Sequence, residues 1–358
     1  MKFGVYNAIL HDRSLPEALK AVQELGLEGI ELNTGGFLSP VHIPNHKEIM
    51  ESDTARDDFL GLFEEHKLEL LGLNCNGNPL HPNPNIRGPQ SQDVLNSIKL
   101  ARRLNQNRVV TMSGCPGDND HATYLNWIVN AWSSAALDVL DYQFGVAKKF
   151  WKEANALAAD LDVKVALELH PQNIVFNVPS TYRFVEEVGA THIGVELDAS
   201  HLYWQQMDPA AVVRELGTLV YHAAAKDVRI NSENAKLVGV LDNSFRKMTP
   251  DEKRTNMGDK EFVNEWPKNS AWDFVAVGKG HDSDHWAEFL TALYEVDPNM
   301  IVNIEHEDTS MGRIEGLEFA TKVLYEGADK AGIAHKETNR FRAEGTLLHR
   351  ELLKPQLQ

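Results

Sequence analysis

Residues 163–198 read VKVALELHPQNIVFNVPSTYRFVEEVGATHIGVELD. Two short apolar runs, VKVALEL (163–169) and IGVELD (193–198), flank one helix-period stretch near 180–188. Short apolar runs alternating with helical segments predict a parallel sheet with helical crossovers. The pattern extends in both directions. KFGVY (2–6), GIEL (29–32), ELLGLNC (69–75) and NRVVTM (107–112) precede it, and TLVYHAAA (218–225) and MIVNIEHED (300–308) follow. Helical stretches separate them, one opening with Pro16 in its first turn and a long one over roughly 136–160. Strand–helix units in this number predict a closed (β/α)8 barrel, a fold of typically ~250 residues before insertions. The alternative, a doubly wound open sheet, would usually place a glycine-rich phosphate turn after the first strand, and YNAILHD has no glycine.

One catalytic domain is expected over 1–330, with 331–358 a polar C-terminal extension without assigned chemistry. Two connections are oversized, 113–135 after strand 4 and 227–283 after strand 7. Loops this long in a compact domain are usually functional or disordered. Both follow strands, so both are expected at the C-terminal face, where barrel active sites sit.

Bulk properties narrow the chemistry. A net charge of −17 repels phosphate backbones and anionic membranes, so neither nucleic acid nor a membrane is an expected partner. No apolar run of spanning length occurs, and MKFGVYNAIL reads as a strand instead of a signal. Two cysteines, Cys75 and Cys115, make no disulfide framework, which fits a reducing cytoplasm. They are too few for a thiolate zinc site, so any metal would rest on histidine and carboxylate.

Residues two apart on a strand share a face. Glu168 and His170 therefore point one way, as do Glu196 and Asp198, with His201 a turn later. His222, Ala224 and Lys226 share a face, as do Asn303, Glu305 and Glu307. Four neighbouring strands thus deliver an acid or a histidine to one rim. Converging carboxylates repel one another and lose solvation, and a cation is the simplest remedy. Carboxylates with an imidazole suit one divalent ion, Mn²⁺ first, then Co²⁺, Mg²⁺ or Zn²⁺.

LELHP (167–171), LDASH (197–201), AKD (225–227), VGKGHD (277–282) and IEHED (304–308) resemble the xylose isomerase-like sugar isomerase/epimerase superfamily, which includes AP endonuclease relatives. NGNPLHP (76–82) and SGCPG (113–117) resemble one subgroup of it, with the branch of C-glycoside deglycosidase large subunits in view. The resemblance implies a metal held by Glu168, Asp198, a strand 7 histidine and Glu305. Relatives carry that histidine two residues before Lys-Asp, where this chain has Ala224. His222 lies two positions earlier, ~6.6 Å deeper along the strand. Either it reaches the ion from below, the reading adopted for the expected ligand set, or it supports the site and His281, then His201, completes the sphere.

The resemblance further implies proton abstraction beside a carbonyl through a metal-stabilised enediolate. Glu168 and Glu305 would act as acid and base, with His170, His201, Lys226 and His281 as further catalytic groups. Lys226 is weighed against a plain salt bridge to Asp227 or Glu196. Expected substrate contacts are Glu31, Asn74, His81 and Trp204. The implied function is a metal-dependent sugar or cyclitol isomerase or epimerase. A lyase on keto-sugar glycosides, needing a small partner subunit, and a non-catalytic sugar-binding barrel are the alternatives. A homo-oligomer also fits.

Overall fold

The computed structural model describes residues 1–252 and 255–337. The barrel strands are β1 (Lys2–Tyr6), β2 (Gly29–Asn33), β3 (Glu69–Asn74), β4 (Arg108–Met112), β5 (Lys164–Glu168), β6 (Ile193–Asp198) and β7 (Val220–Ala225). The insertion after β7 contributes β8 (Asp227–Ile230), β9 (Asn256–Gly258), β10 (Glu261–Phe262) and β11 (Trp272–Val275), and β12 (Ile301–Ile304) completes the barrel. The eight barrel strands close in the order β1-β12-β7-β6-β5-β4-β3-β2, so the chain folds as a (β/α)8 barrel.

Local sequence explains the helices. Ser14 and Glu17 form a capping box that starts the helix Leu15–Glu24, with Pro16 in its first turn. Asn177 and Ser180 do the same for Val178–Val188, which ends on Gly189 at φ 69°. The helices pack large side chains on the barrel; Trp151, Trp286, Phe184 and Phe289 are fully buried. Trp151 also donates from Nε1 to the Ser113 carbonyl at 3.0 Å, tying the long helix Ser134–Leu161 to the end of β4.

Register sets the polar residues in layers. Glu196 lies beside His222, and Asp198 beside Ala224, across β6 and β7. Asn303 lies beside Ala224 across β12 and β7, but its amide reaches Glu31 and His222 at 2.6 and 3.0 Å and so joins the lower layer.

Both long connections rise from the C-terminal ends of their strands. The second is more structured than a loop. β8 pairs antiparallel with β11, and β9 with β10. The β9–β10 hairpin crosses to the segment after β3. Asn83 donates to Asp259 at 3.0 Å, Gln90 donates to the Met257 carbonyl at 3.1 Å, and His81 Nε2 is 3.1 Å from Glu261. The start of the C-terminal extension packs on the barrel. His335 stacks on Tyr325, and the Lys336 amide donates to Glu28 at 2.8 Å. The remainder of that extension, from residue 338, lies outside the described residues. No helix among the described residues is long and apolar enough to cross a membrane.

Candidate active site at the barrel mouth

The segment after β6 builds the centre of the site. Asp198 Oδ1 accepts from the Ser200 amide at 2.8 Å and its hydroxyl at 2.7 Å, capping the short helix Ala199–Tyr203. The cap brings His201 round to face Asp198. His201 Nε2 lies 3.3 Å from Asp198 Oδ2 and 3.3 Å from Glu168 Oε1, all three side chains being buried. Neither ring nitrogen of His201 has a hydrogen-bond partner, nor does Asp198 Oδ2. The other Glu168 oxygen accepts from Asn76 Nδ2 at 2.6 Å. His170 Nδ1 donates to the Pro171 carbonyl at 2.7 Å, and its ring lies 4.2 Å from that of His201.

Lys226 projects into the same group. Its Nζ lies 3.5 Å from Asp198, 3.4 Å from Glu305 and 2.8 Å from Glu307, and 4.5 Å from the Phe274 ring centroid. Its ion pairs are therefore across the mouth, and not with Asp227 or Glu196, the partners weighed from sequence. Glu307, on the rim face by spacing but not among the expected site residues, and Phe274, not expected at all, both join the site. Glu307 shares the face of Glu305, a signal that sequence does carry. Phe274 arrives from the insertion, which has no periodicity to announce it.

Burial decides the protonation states. It raises the Glu168 carboxyl to about 7, with Asp198 adding to the rise and His170 and Lys226 opposing it. It also lifts Glu305 well above the usual range. Asp198 stays below its usual value, because His201, Lys226 and the Ser200 hydrogen bonds outweigh the cost of burial. His170 and His201 are both driven down to about 4 by burial, so both are neutral at pH 7. Burial opposes the charge on Lys226, but Glu307, Asp198 and Glu305 hold it protonated.

Several expected residues sit elsewhere. His222 Nε2 is 2.8 Å from Glu31 and 3.9 Å from Glu196, one pleat below the mouth. Glu31 belongs to that layer too, and Asn74 donates to it at 2.8 Å. The reason is register: β6 and β7 align His222 with Glu196, a pleat beneath Asp198.

His281 is committed to Asp227. Its Nδ1 is 2.7 Å from Asp227 Oδ1 and its ring stacks on Tyr203 at 3.5 Å. Asp227 Oδ2 also accepts from the amides of Gly278, Gly280 and His281. A side chain at Gly280 would meet the Val228 carbonyl at 2.1 Å, so the VGKGHD turn needs glycine there. AKD and VGKGHD are thus two halves of one structural clamp. Trp204 is no open platform: it is buried and stacked on Trp272 at 5.0 Å.

His81 lines a small cleft of about 40 Å³ together with Phe37, Asn78, Ile86, Met112, Leu125, His170, Asn173 and Met257. The cleft opens beside His170, under the β9–β10 hairpin.

The chain belongs to the xylose isomerase-like TIM barrel family, whose model matches residues 19–326. It is 31% identical over 329 residues to the uncharacterized protein YfiH of Bacillus subtilis (strain 168), covering 90% of this chain and 98% of YfiH. A D-tagatose 3-epimerase-like protein has a similar structure, with TM-score 0.57, 17% identity, and 93% and 98% of the two chains covered. So has the IolI protein with a bound zinc atom, with TM-score 0.58, 18% identity, and 92% and 99% covered.

Proposed function

We propose that this protein is a sugar isomerase or epimerase that removes a proton from the carbon beside a carbonyl and returns one to the adjacent carbon or to the opposite face of the same carbon. One observation carries the reading. A carboxyl held near neutrality, Glu168, stands within a few ångströms of neutral His201 and a mouth whose cation is Lys226. A general base works best with a pKa near the operating pH. Glu168 accepts the proton from the carbon next to the carbonyl. Lys226 offsets the negative charge that develops on the substrate oxygen. Glu305, neutral in its raised state, returns a proton to the adjacent carbon or to the opposite face of the same carbon. His170 and His201 hold substrate hydroxyls. The D-tagatose 3-epimerase-like and IolI structures share the fold, and the name of the first is in keeping with this substrate class.

The mouth fits a divalent ion with one change to the expected ligand set. Glu168, Asp198 and Glu305 would hold it, and His201 would supply the nitrogen in place of a strand 7 histidine. The orphaned His201 Nε2 and Asp198 Oδ2 are the support for this. When bound, such an ion polarises the carbonyl and an adjacent hydroxyl. An oxygen-rich set with one imidazole favours Mn²⁺ among the candidates, with Co²⁺, Mg²⁺ or Zn²⁺ as substitutes.

The test is solvent exchange. Ketohexoses and ketopentoses incubated in D₂O with the enzyme are expected to take up deuterium beside the carbonyl, followed by NMR. Glu168→Gln is expected to slow uptake at least ~10²-fold. Uptake undiminished in Glu168→Gln would remove Glu168 as the base.

The apolar lining beside His170 bears on a second reading, a lyase acting on keto-sugar glycosides, because Phe37, Ile86, Leu125 and Met257 would border an aglycone once the β9–β10 hairpin moves aside to admit it. Release of an aromatic aglycone from a 3-keto glycoside supports it; turnover of free sugars alone ends it.

A further inference from the structure

The barrel interior carries a second donor set beneath the mouth. We propose that Glu31, Glu196 and His222, joined by the Asn303 amide oxygen, bind a divalent cation of their own. Barrel interiors of this fold are ordinarily filled by branched apolar side chains. Here one layer holds two glutamates, a histidine and two asparagines, each at most 1% exposed.

One ligand atom from each of Glu31, Glu196 and His222 falls within 4.8 Å of the others. His222 Nε2 is 2.8 Å from Glu31 Oε2 and 3.9 Å from Glu196 Oε1. Those separations bracket the ~3.3 Å between donors around a tetrahedral ion with bonds of ~2.0–2.1 Å. A hydrogen-bonded polar core does not account for the rest of the layer. Glu196 Oε2, His222 Nδ1 and Asn303 Oδ1 are buried without a partner. Each orphan in such a site is costly.

The surrounding groups are arranged as a metal's outer support would be. Asn74 Nδ2 holds the far oxygen of Glu31 at 2.8 Å, fixing the carboxylate's orientation. Asn303 Nδ2 donates to Glu31 Oε2 at 2.6 Å. A half-turn of that amide exchanges its nitrogen for its oxygen, supplying a fourth donor. Two carboxylates, an imidazole and an amide oxygen suit Zn²⁺ or Co²⁺. This site is independent of the reaction proposed for the mouth.

The experiment compares the full-length wild type with Asp198→Asn, which disables the mouth, and Glu196→Gln, which disables the lower layer with little change in shape. Each chain is loaded with Co²⁺ and desalted, its fold checked by circular dichroism, and its metal counted by elemental analysis. The lower site predicts about one equivalent of Co²⁺ retained in Asp198→Asn, with a visible absorption band that is absent in Glu196→Gln. His222→Gln is expected to repeat the loss, and serves if Glu196→Gln fails to fold. Complete loss of metal in Asp198→Asn, or unchanged stoichiometry and spectrum in both lower-layer variants, overturns the proposal. Solvent exchange in the same proteins reports on the mouth separately, so failure of one reading leaves the other standing.

Discussion

Lys226 donates to Glu305 across the β7–β12 boundary at 3.4 Å, so the mouth of this barrel carries its own fixed positive charge. The ammonium is buried and also faces Asp198 and Glu307. Lys226→Met is expected to lower kcat by about 10²–10³-fold with a smaller change in KM, the pattern for a group that acts on charge in the transition state. It is also expected to destabilise the fold by about 3–5 kcal/mol, because buried carboxylates lose their partner. Steady-state kinetics and urea denaturation measure the two effects. Unchanged kcat with the stability loss would make Lys226 a structural ion-pair partner only.

Asp227 and His281 offer the opposite case, motif residues committed to holding a turn. Asp227→Ala leaves the amides of Val228, Gly278, Gly280 and His281 without their acceptor. At about 1–3 kcal/mol for each buried orphan, the loss is expected to exceed ~4 kcal/mol. His281→Ala removes one contact and is expected to cost about 1–2 kcal/mol while keeping most activity. Chemical denaturation with parallel solvent-exchange assays checks both. A collapse of exchange in folded His281→Ala would return that histidine to the reacting centre.

The contrast between these residues marks how far sequence carries. The barrel was legible because strand–helix alternation is a local property of the chain. So was the group Glu168, Asp198, Lys226 and Glu305, because period-two spacing places strand-end side chains on one face. Spacing gives depth along one strand, but not which residues of the neighbouring strands lie at that depth. His222 and Lys226 share a face, yet one sits beside Glu196 and the other among the mouth carboxylates. That assignment depends on the stagger between neighbouring strands, a non-local quantity. The insertion was opaque for a similar reason. Its strands are two to four residues long, and Phe274 reaches Lys226 only because β11 pairs back onto β8.

Glu168 makes a prediction about stability and pH. Its carboxyl is raised from 4.5 to about 7 in the fold. A raised pKa contributes stability that is complete below the unfolded value and lost as pH rises through the folded one. Gln at this position does not titrate. In protein freed of metal with a chelator, wild type is therefore expected to lose about 3 kcal/mol relative to Glu168→Gln between about pH 4.5 and 8, since each tenfold change in proton affinity is worth about 1.36 kcal/mol. The neutral histidines His170 and His201 act in the other direction in both proteins, their stability falling away as pH drops from 6.5 toward 4. The difference between the two chains isolates the carboxyl. Denaturation midpoints at half-unit intervals measure it, and a constant difference across the range would mean that Glu168 is ionised throughout.

Ala224 tests the ligand assignment at the mouth. It lies beside Asp198 across β6 and β7, where the resemblance places a histidine ligand. If His201 supplies the nitrogen donor in this chain, His201→Ala lowers affinity for Mn²⁺ or Co²⁺ at the mouth by at least ~10-fold, as loss of a ligand or its support typically does. Ala224→His in that background then restores it, because the new imidazole shares the face of Lys226 and stands next to the capped carboxylate. Calorimetric titration of the two variants in a Glu196→Gln background, which removes the lower layer from the count, reads the mouth alone. Full affinity in His201→Ala without the second substitution would show that carboxylates suffice there, and that His201 serves the substrate instead of the ion.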